Sequence, residues 1–133
     1  MKAQDLMAKA IQAAASAKVL LETGDADGAC NRAYYAMFDA ARSALLAGGA
    51  PIQQDLPKTH NGLISAFSLH LVKTGKVSLA LGKALNKAEE LRLIADYKGD
   101  PIELEDAGWA VSQAETFVQT MQAMFMSDRT RGG

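Results

Sequence analysis

Tyr34, Met37, Phe38, Ala41 and Leu45 recur at i, i+3, i+4, i+7 and i+11. That spacing lays apolar side chains along one stripe of an α-helix. Arg32, Tyr35, Asp39 and Arg42 fall on a different side of the same helix, each within reach of the next. The stretch from Asn31 to Arg42 is therefore expected to pack through one face and to build a polar site on another. A chain organised around it is predicted to be a bundle of helices.

The rest of the sequence supplies the partners. A first helix is predicted from about Gln4 to Glu22, with Leu6, Ala10, Ala13, Ala14, Ala17, Leu20 and Leu21 on one stripe. Its many alanines permit close approach of a neighbour. Gly24 is placed to end it, and Asp25 or Asp27 to cap the second helix, expected from about Asp27 to Ala47. Gly48 to Pro57 reads as a loop. Thr59 is a good N-cap for a third helix from about His60 to Val72, with Leu63, Ile64, Phe67 and Leu71 inward. After a turn at Thr74-Gly75-Lys76, Ser78 caps a fourth helix from about Leu79 to Ala95, with Leu81, Leu85, Ala88 and Leu91 inward. Tyr97 to Pro101 reads as a break. The fifth helix runs from about Glu103 to Met126, with Ala107, Ala110, Val111, Ala114, Phe117, Val118, Met121, Met124 and Phe125 on its stripe. Short connections between long helices favour an antiparallel, up-and-down arrangement of four to five helices. Residues 1–127 are expected to form one helical domain, followed by a disordered tail over 128–133.

Composition narrows the function classes. A chain of 133 residues can bury roughly 70% of its unfolded surface, enough for a core without metals or disulfides. Basic and acidic residues nearly cancel at 14 against 15, so the whole chain exerts no strong pull on nucleic acid or membrane. A lone cysteine, Cys30, excludes an internal disulfide and fits a reducing cytoplasm. No apolar run approaches the roughly 18 residues a membrane span needs. Lys2, Asp5 and Lys9 interrupt any signal-peptide pattern. The balance hides a local asymmetry, because Lys58 to Lys98 carries seven basic residues and three acidic ones. That segment could offer a basic surface to phosphates. Its plainer reading is a solvated face in which Glu89 or Glu90 pairs with Lys87 or Arg92.

Three places could carry chemistry. Lys58 and His60 sit where a loop enters a helix, and free N–H groups at a helix start attract anions. His60 could equally be a packing or capping residue. His70, beside the Leu71 stripe, reads as structural. Arg92 and Asp96 form an i,i+4 pair, or they join Tyr97 in a polar pocket shared with Arg32 and Tyr35. Thr23 to Gly28 grazes a calcium-loop pattern, but it lacks the leading aspartate and has Tyr34 where the twelfth-position glutamate belongs. There is no glycine-rich phosphate loop, cysteine pair or histidine–glutamate metal motif. Two histidines without clustered acids do not make a zinc site, and Cys30 reads as a small core residue. No metal or cofactor is expected.

Arg32-Ala33-Tyr34-Tyr35-Ala36-Met37-Phe38, then Lys58-Thr59-His60-Asn61-Gly62-Leu63, then Arg92 through Ala95-Asp96-Tyr97, then a closing helix with Ala114 and Phe117-Val118, resemble the small prokaryotic HEPN (higher eukaryotes and prokaryotes nucleotide-binding) domain proteins. The likeness runs from about Leu6 to Phe125. It implies a four- or five-helix bundle that dimerises and frequently pairs with a small nucleotidyltransferase, often as a toxin–antitoxin pair. It also implies metal-independent ribonuclease activity in many relatives, whose hallmark is an arginine followed four to six residues later by a histidine. Here Arg92 is followed at those positions by Asp96 and Tyr97, and no histidine comes.

That departure shapes the functional expectation. In-line RNA cleavage needs a base for the 2′-hydroxyl and charge stabilisation at the phosphate. Arg92 could supply the second. A tyrosine of pKa near 10 is a poor base at neutral pH. The leading expectation is a dimeric module that binds RNA or a nucleotide, through Arg32, Tyr35, Lys58 and Asp96, and associates with a nucleotidyltransferase. The alternative is a ribonuclease toxin using Arg92 with His60 or Tyr97. A third is a purely structural helical dimer; dimerisation itself, implied mainly by the resemblance, has an independent hint in the broad apolar stripes.

Overall fold

In the computed structural model, residues 2–48 and 56–126 are described, and among them every regular element is helical. Five α-helices succeed one another: α1 (Ala3–Glu22), α2 (Ala26–Ala47), α3 (His60–Phe67), α4 (Leu79–Leu93) and α5 (Leu104–Phe125). The last turns of α3 and α4 widen into π-helical segments, Ser68–Val72 and Ile94–Lys98. The all-α bundle expected from periodicity is what forms. The tail over 128–133 and most of the loop after Gly48 lie outside the described residues.

α2 is the hub and touches every other helix. Its start and end can be traced by what they hold. The Ser43 hydroxyl donates to the Ala3 carbonyl at 2.8 Å, so α1 begins beside the last turns of α2 and the pair is antiparallel. The Asp27 carboxylate accepts from the Ile102 N–H at 3.1 Å, setting the approach to α5 beside the start of α2. Gly48, at the other end of α2, packs against Leu71 and Phe125. α5 and α3 therefore run in the direction of α2, while α1 and α4 run against it.

The boundaries are set by local chemistry. Gly24 takes a φ of +88°, and its N–H bonds to the Leu21 carbonyl at 3.0 Å while the Asp25 N–H bonds to the Leu20 carbonyl at 2.9 Å. This is the paired closure that a left-handed residue after a helix makes possible. Asp25, not Asp27, caps α2, accepting from the Gly28 N–H at 2.9 Å. Thr59 caps α3 through the Gly62 N–H at 2.9 Å, and Ser78 caps α4 through the Leu81 N–H at 3.3 Å.

The core holds the predicted stripes. Tyr34, Met37, Ala41 and Leu45 of α2 are buried, with Leu63, Ile64, Phe67 and Leu71 from α3, Leu85, Ala88 and Leu91 from α4, and Ala107 to Met121 of the α5 stripe. Cys30 is buried among them. Ala14, Leu20, Leu21, Phe38, Leu81 and Phe125, expected inward, are only half-buried at the edge of the core, and other details also depart from expectation. Met7 joins the α1 stripe. Met124 is 45% exposed, and Met126 takes the inward place beyond the end of α5. The chain does not break at Tyr97 but stays helical through Lys98, ending at Gly99 with a φ of +80°. Glycine supplies the left-handed turn there, so the stop falls two residues later than Tyr97 suggests.

Candidate functional site

Arg92 sits in the last turns of α4, 4% exposed. A buried guanidinium is costly unless its donors are engaged, and this one is engaged on every side. Its Nη2 and Nε donate to Glu89 Oε1 at 2.8 and 3.1 Å, and its Nη1 donates to Asp96 Oδ2 at 3.4 Å. Its central carbon lies 5.0 Å from the ring centre of Tyr34, 5.7 Å from Tyr35 and 6.0 Å from Tyr97. Cation–π contacts of this kind contribute about 0.5–2 kcal/mol each, more where water is excluded. Burial works against the charge, but the hydrogen bonds and negative charge of Glu89 outweigh it and hold Arg92 above its ordinary pKa.

A π turn, Ile94–Lys98, follows Arg92 at the end of α4. A π turn inserts one residue into the helical path and rotates the residues beyond it. Asp96 then meets both Arg92 and the amide of Asn31, which donates to Asp96 Oδ2 at 3.2 Å. The Asn31 carbonyl in turn accepts from Arg32 Nε at 3.2 Å. One short chain of polar contacts thus joins Arg32 on α2 to Arg92 on α4. Arg32 also lies 5.3 Å from the Tyr35 ring centre.

His60 opens α3 and turns into the same cluster. Its Nδ1 is 2.7 Å from the Tyr34 hydroxyl. Its ring stacks on Phe38 at 4.7 Å and lies 5.8 Å from Tyr35. Burial, reinforced by the Glu89 carboxylate, pushes the Tyr34 phenol well above its ordinary pKa despite the Arg92 charge. It therefore stays protonated. With His60 neutral and its proton on Nε2, the phenol donates to Nδ1; with Nδ1 protonated, the imidazole donates to the phenol oxygen. Among the described residues no hydrogen bond engages His60 Nε2; it can accept from a ligand when Nδ1 carries the proton and donate to one when Nε2 does.

Arg32, Tyr35, His60, Arg92, Asp96 and Tyr97 are thus brought together by three helices and a π turn. Lys58 is not; it stays exposed before α3, and His60 spends its Nδ1 on Tyr34 instead of pairing with Lys58 around an anion. Tyr97 is 74% exposed beside the buried Arg92. His70, at the π end of α3, stays apart from the cluster.

Sequence reasoning passed over four members. Glu89 was visible only as one of several i,i+3 or i,i+4 pairings. Asn31 heads the α2 stretch, but nothing in its spacing announces a bond to a residue 65 positions on. Tyr34 and Phe38 read as core, and they are also the surfaces on which His60 rests.

Among the described residues no cluster of histidine, cysteine and acidic side chains could hold a metal ion, and no helix is long and apolar enough to cross a membrane. The comparisons with known proteins agree with the all-α fold. The HEPN domain profile matches residues 3–124. A UPF0332 protein of Gloeobacter violaceus is 36% identical over 118 residues, covering 87% of this chain and 90% of that one. A UPF0332 protein of Thermotoga maritima is 36% identical over 111 residues, covering 81% and 79%. "Putative toxin MJ0605" of Methanocaldococcus jannaschii is 35% identical over 107 residues, covering 80% and 76%. With a profile match across nearly its whole length and relatives aligned over most of theirs, the chain belongs to the HEPN domain family.

Proposed function

We propose that this protein binds RNA or a nucleotide without cleaving it, as a cytoplasmic homodimer that works beside a small nucleotidyltransferase in a toxin–antitoxin-type pair. One observation carries the binding reading. Arg92 is buried with each of its three nitrogens donating to Glu89 or Asp96, while Tyr97 beside it is 74% exposed. An arginine already matched by carboxylates is a weak clamp for the charge that develops on a reacting phosphate. An exposed ring backed by a cation is a good platform for an unpaired base. The toxin names of two M. jannaschii relatives support the setting. Ile11 and Val19, 43% and 57% exposed on α1, support an apolar face available to a second copy.

Fluorescence anisotropy of a labelled single-stranded oligoribonucleotide without a 5′-phosphate tests the platform. Tyr97→Ala is expected to weaken binding roughly tenfold, in line with about 1–3 kcal/mol for a base stacked on an aromatic side chain. Equal affinity of the two proteins contradicts the reading.

The ribonuclease reading has its own support. His60 and Arg92 rest on the same two rings, Tyr34 and Tyr35, and in the tautomer whose Nδ1 donates to Tyr34, His60 Nε2 is an acceptor. The same RNA, incubated with wild type and His60→Ala, separates the two. Binding without cleavage predicts intact RNA in both samples. Cleavage by wild type that His60→Ala abolishes puts the ribonuclease in its place.

A further inference from the structure

The polar face of α2 has a second neighbour besides α4. On α1, Lys9, Gln12 and Ser16 fall at i, i+3 and i+7, and they face the row of Arg32, Tyr35, Asp39 and Arg42 across a cleft of about 590 Å³. This volume lies within the range of roughly 300–1,000 Å³ that holds small organic ligands. The charges on its walls are unequal. Arg42 is matched by Asp39, Nη1 to Oδ1 at 3.1 Å. Lys9 and Arg32 have no carboxylate partner among the described residues. Two positive charges are therefore left over in one concavity of a chain whose formal net charge is −1.

The placement of these cations also matters. Arg32 is braced by the Asn31 carbonyl through Nε and by the Tyr35 ring, which leaves its terminal nitrogens to reach outward. Arg42 lies against the Phe38 ring at 5.7 Å and gives Nη1 to Asp39, which leaves Nη2 outward. A guanidinium held by its stem and by a ring loses little freedom when it grips a planar or tetrahedral oxyanion. Lys9 adds a point charge on the opposite wall, and Gln12 and Ser16 offer an amide and a hydroxyl beside it. An acidic ligand with hydroxyl and ring groups matches this lining better than a purely apolar one.

We infer that the α1–α2 cleft is an anion-binding site for a nucleotide phosphate, held by Arg32 and Lys9 with Arg42 behind them. The site is distinct from the exposed Tyr97 platform and does not depend on it; Tyr35 is the wall between the cleft and the Arg92 cluster. The phosphate could belong to a free mononucleotide or to the terminal phosphate of an RNA strand, and both present the same dianionic group.

Isothermal titration calorimetry with AMP, and with a short oligoribonucleotide carrying or lacking a 5′-phosphate, tests this on the full chain. Wild type is expected to bind AMP, and Arg32→Gln to weaken it roughly tenfold or more. Lys9→Gln, at an exposed position where misfolding is not at issue, is expected to weaken it several-fold. Lys83→Gln, which removes an exposed charge from α4 outside the cleft, is expected to change it less than about twofold. Tighter binding of AMP than of the phosphorylated strand assigns the cleft to a free nucleotide; the reverse order, with loss on removing the 5′-phosphate, assigns it to an RNA end. No binding of AMP or of the phosphorylated strand, or wild-type affinity in both Arg32→Gln and Lys9→Gln, overturns the inference. Because the stacking platform is read by Tyr97→Ala on unphosphorylated RNA, one site can fail while the other stands.

Discussion

Glu89 decides what Arg92 is for. A guanidinium buried to this degree and left without a carboxylate would be a liability of several kcal/mol. With Glu89 Oε1 at 2.8 Å it becomes a fixed post on which Tyr34, Tyr35 and Tyr97 are arranged. Asp96, at 3.4 Å and nearer the surface, is the weaker partner. Glu89→Ala should therefore destabilise the protein by about 3–5 kcal/mol, the range for breaking one side of a buried ion pair. Asp96→Ala should cost distinctly less. Urea unfolding followed by circular dichroism measures both, and equal losses would mean that Asp96 carries as much of the pair as Glu89.

The seam between α2 and α5 has a measurable signature of its own. Cys30 is buried there, and burial, with Asp27 and Asp106 adding to it, pushes its thiol from 9.0 up to about 11. In the unfolded chain the thiol ionises from about pH 9, whereas in the native protein it holds its proton until near 11. The native state is thus favoured below 9, and that contribution is lost as pH rises from 9 to 11, by up to roughly 2–3 kcal/mol. The loss should vanish in Cys30→Ala, and Cys30 should resist a disulfide reagent at pH 8 until the seam opens. Rapid labelling of the native protein at that pH would contradict the packing of α2 on α5.

These elements also mark how far the sequence could be read. Tyr34, Met37, Ala41 and Leu45 keep a 3.6-residue period because a single stripe has to face the core, so α2 was legible. Gly24, Thr59 and Ser78 were legible because their chemistry is local. The choice between Asp25 and Asp27 was not, since both can cap; it was settled by the Ile102 N–H that claims Asp27. The π turn at Ile94–Lys98 leaves no trace in periodicity, because one inserted residue rotates the face without changing its composition. The i,i+4 spacing of Arg92 and Asp96 and the i,i+3 spacing of Arg32 and Tyr35 were legible, but whether the two pairs share a pocket was left open between two readings, because that depends on how α4 docks on α2. The Tyr34–His60 bond was not legible, because it joins residues 26 positions apart through the docking of α3.

For the molecule as a whole, near-neutral charge conceals a sorted surface. Lys87 is spent over the Trp109 ring at 4.9 Å and Arg92 on Glu89, so the basic run from Lys58 to Lys98 presents less free charge than its count suggests. The Tyr97 ring and the α1–α2 cleft, on the two sides of Tyr35, are the features proposed to take a ligand. Binding at the first is the central claim, and photocrosslinking reads it directly. Single-stranded RNA irradiated with the full-length protein, digested and sequenced by mass spectrometry, should leave its adduct on the peptide carrying Tyr97. Adducts confined to peptides that lack Tyr97, or the absence of any adduct at saturating protein, would contradict the account.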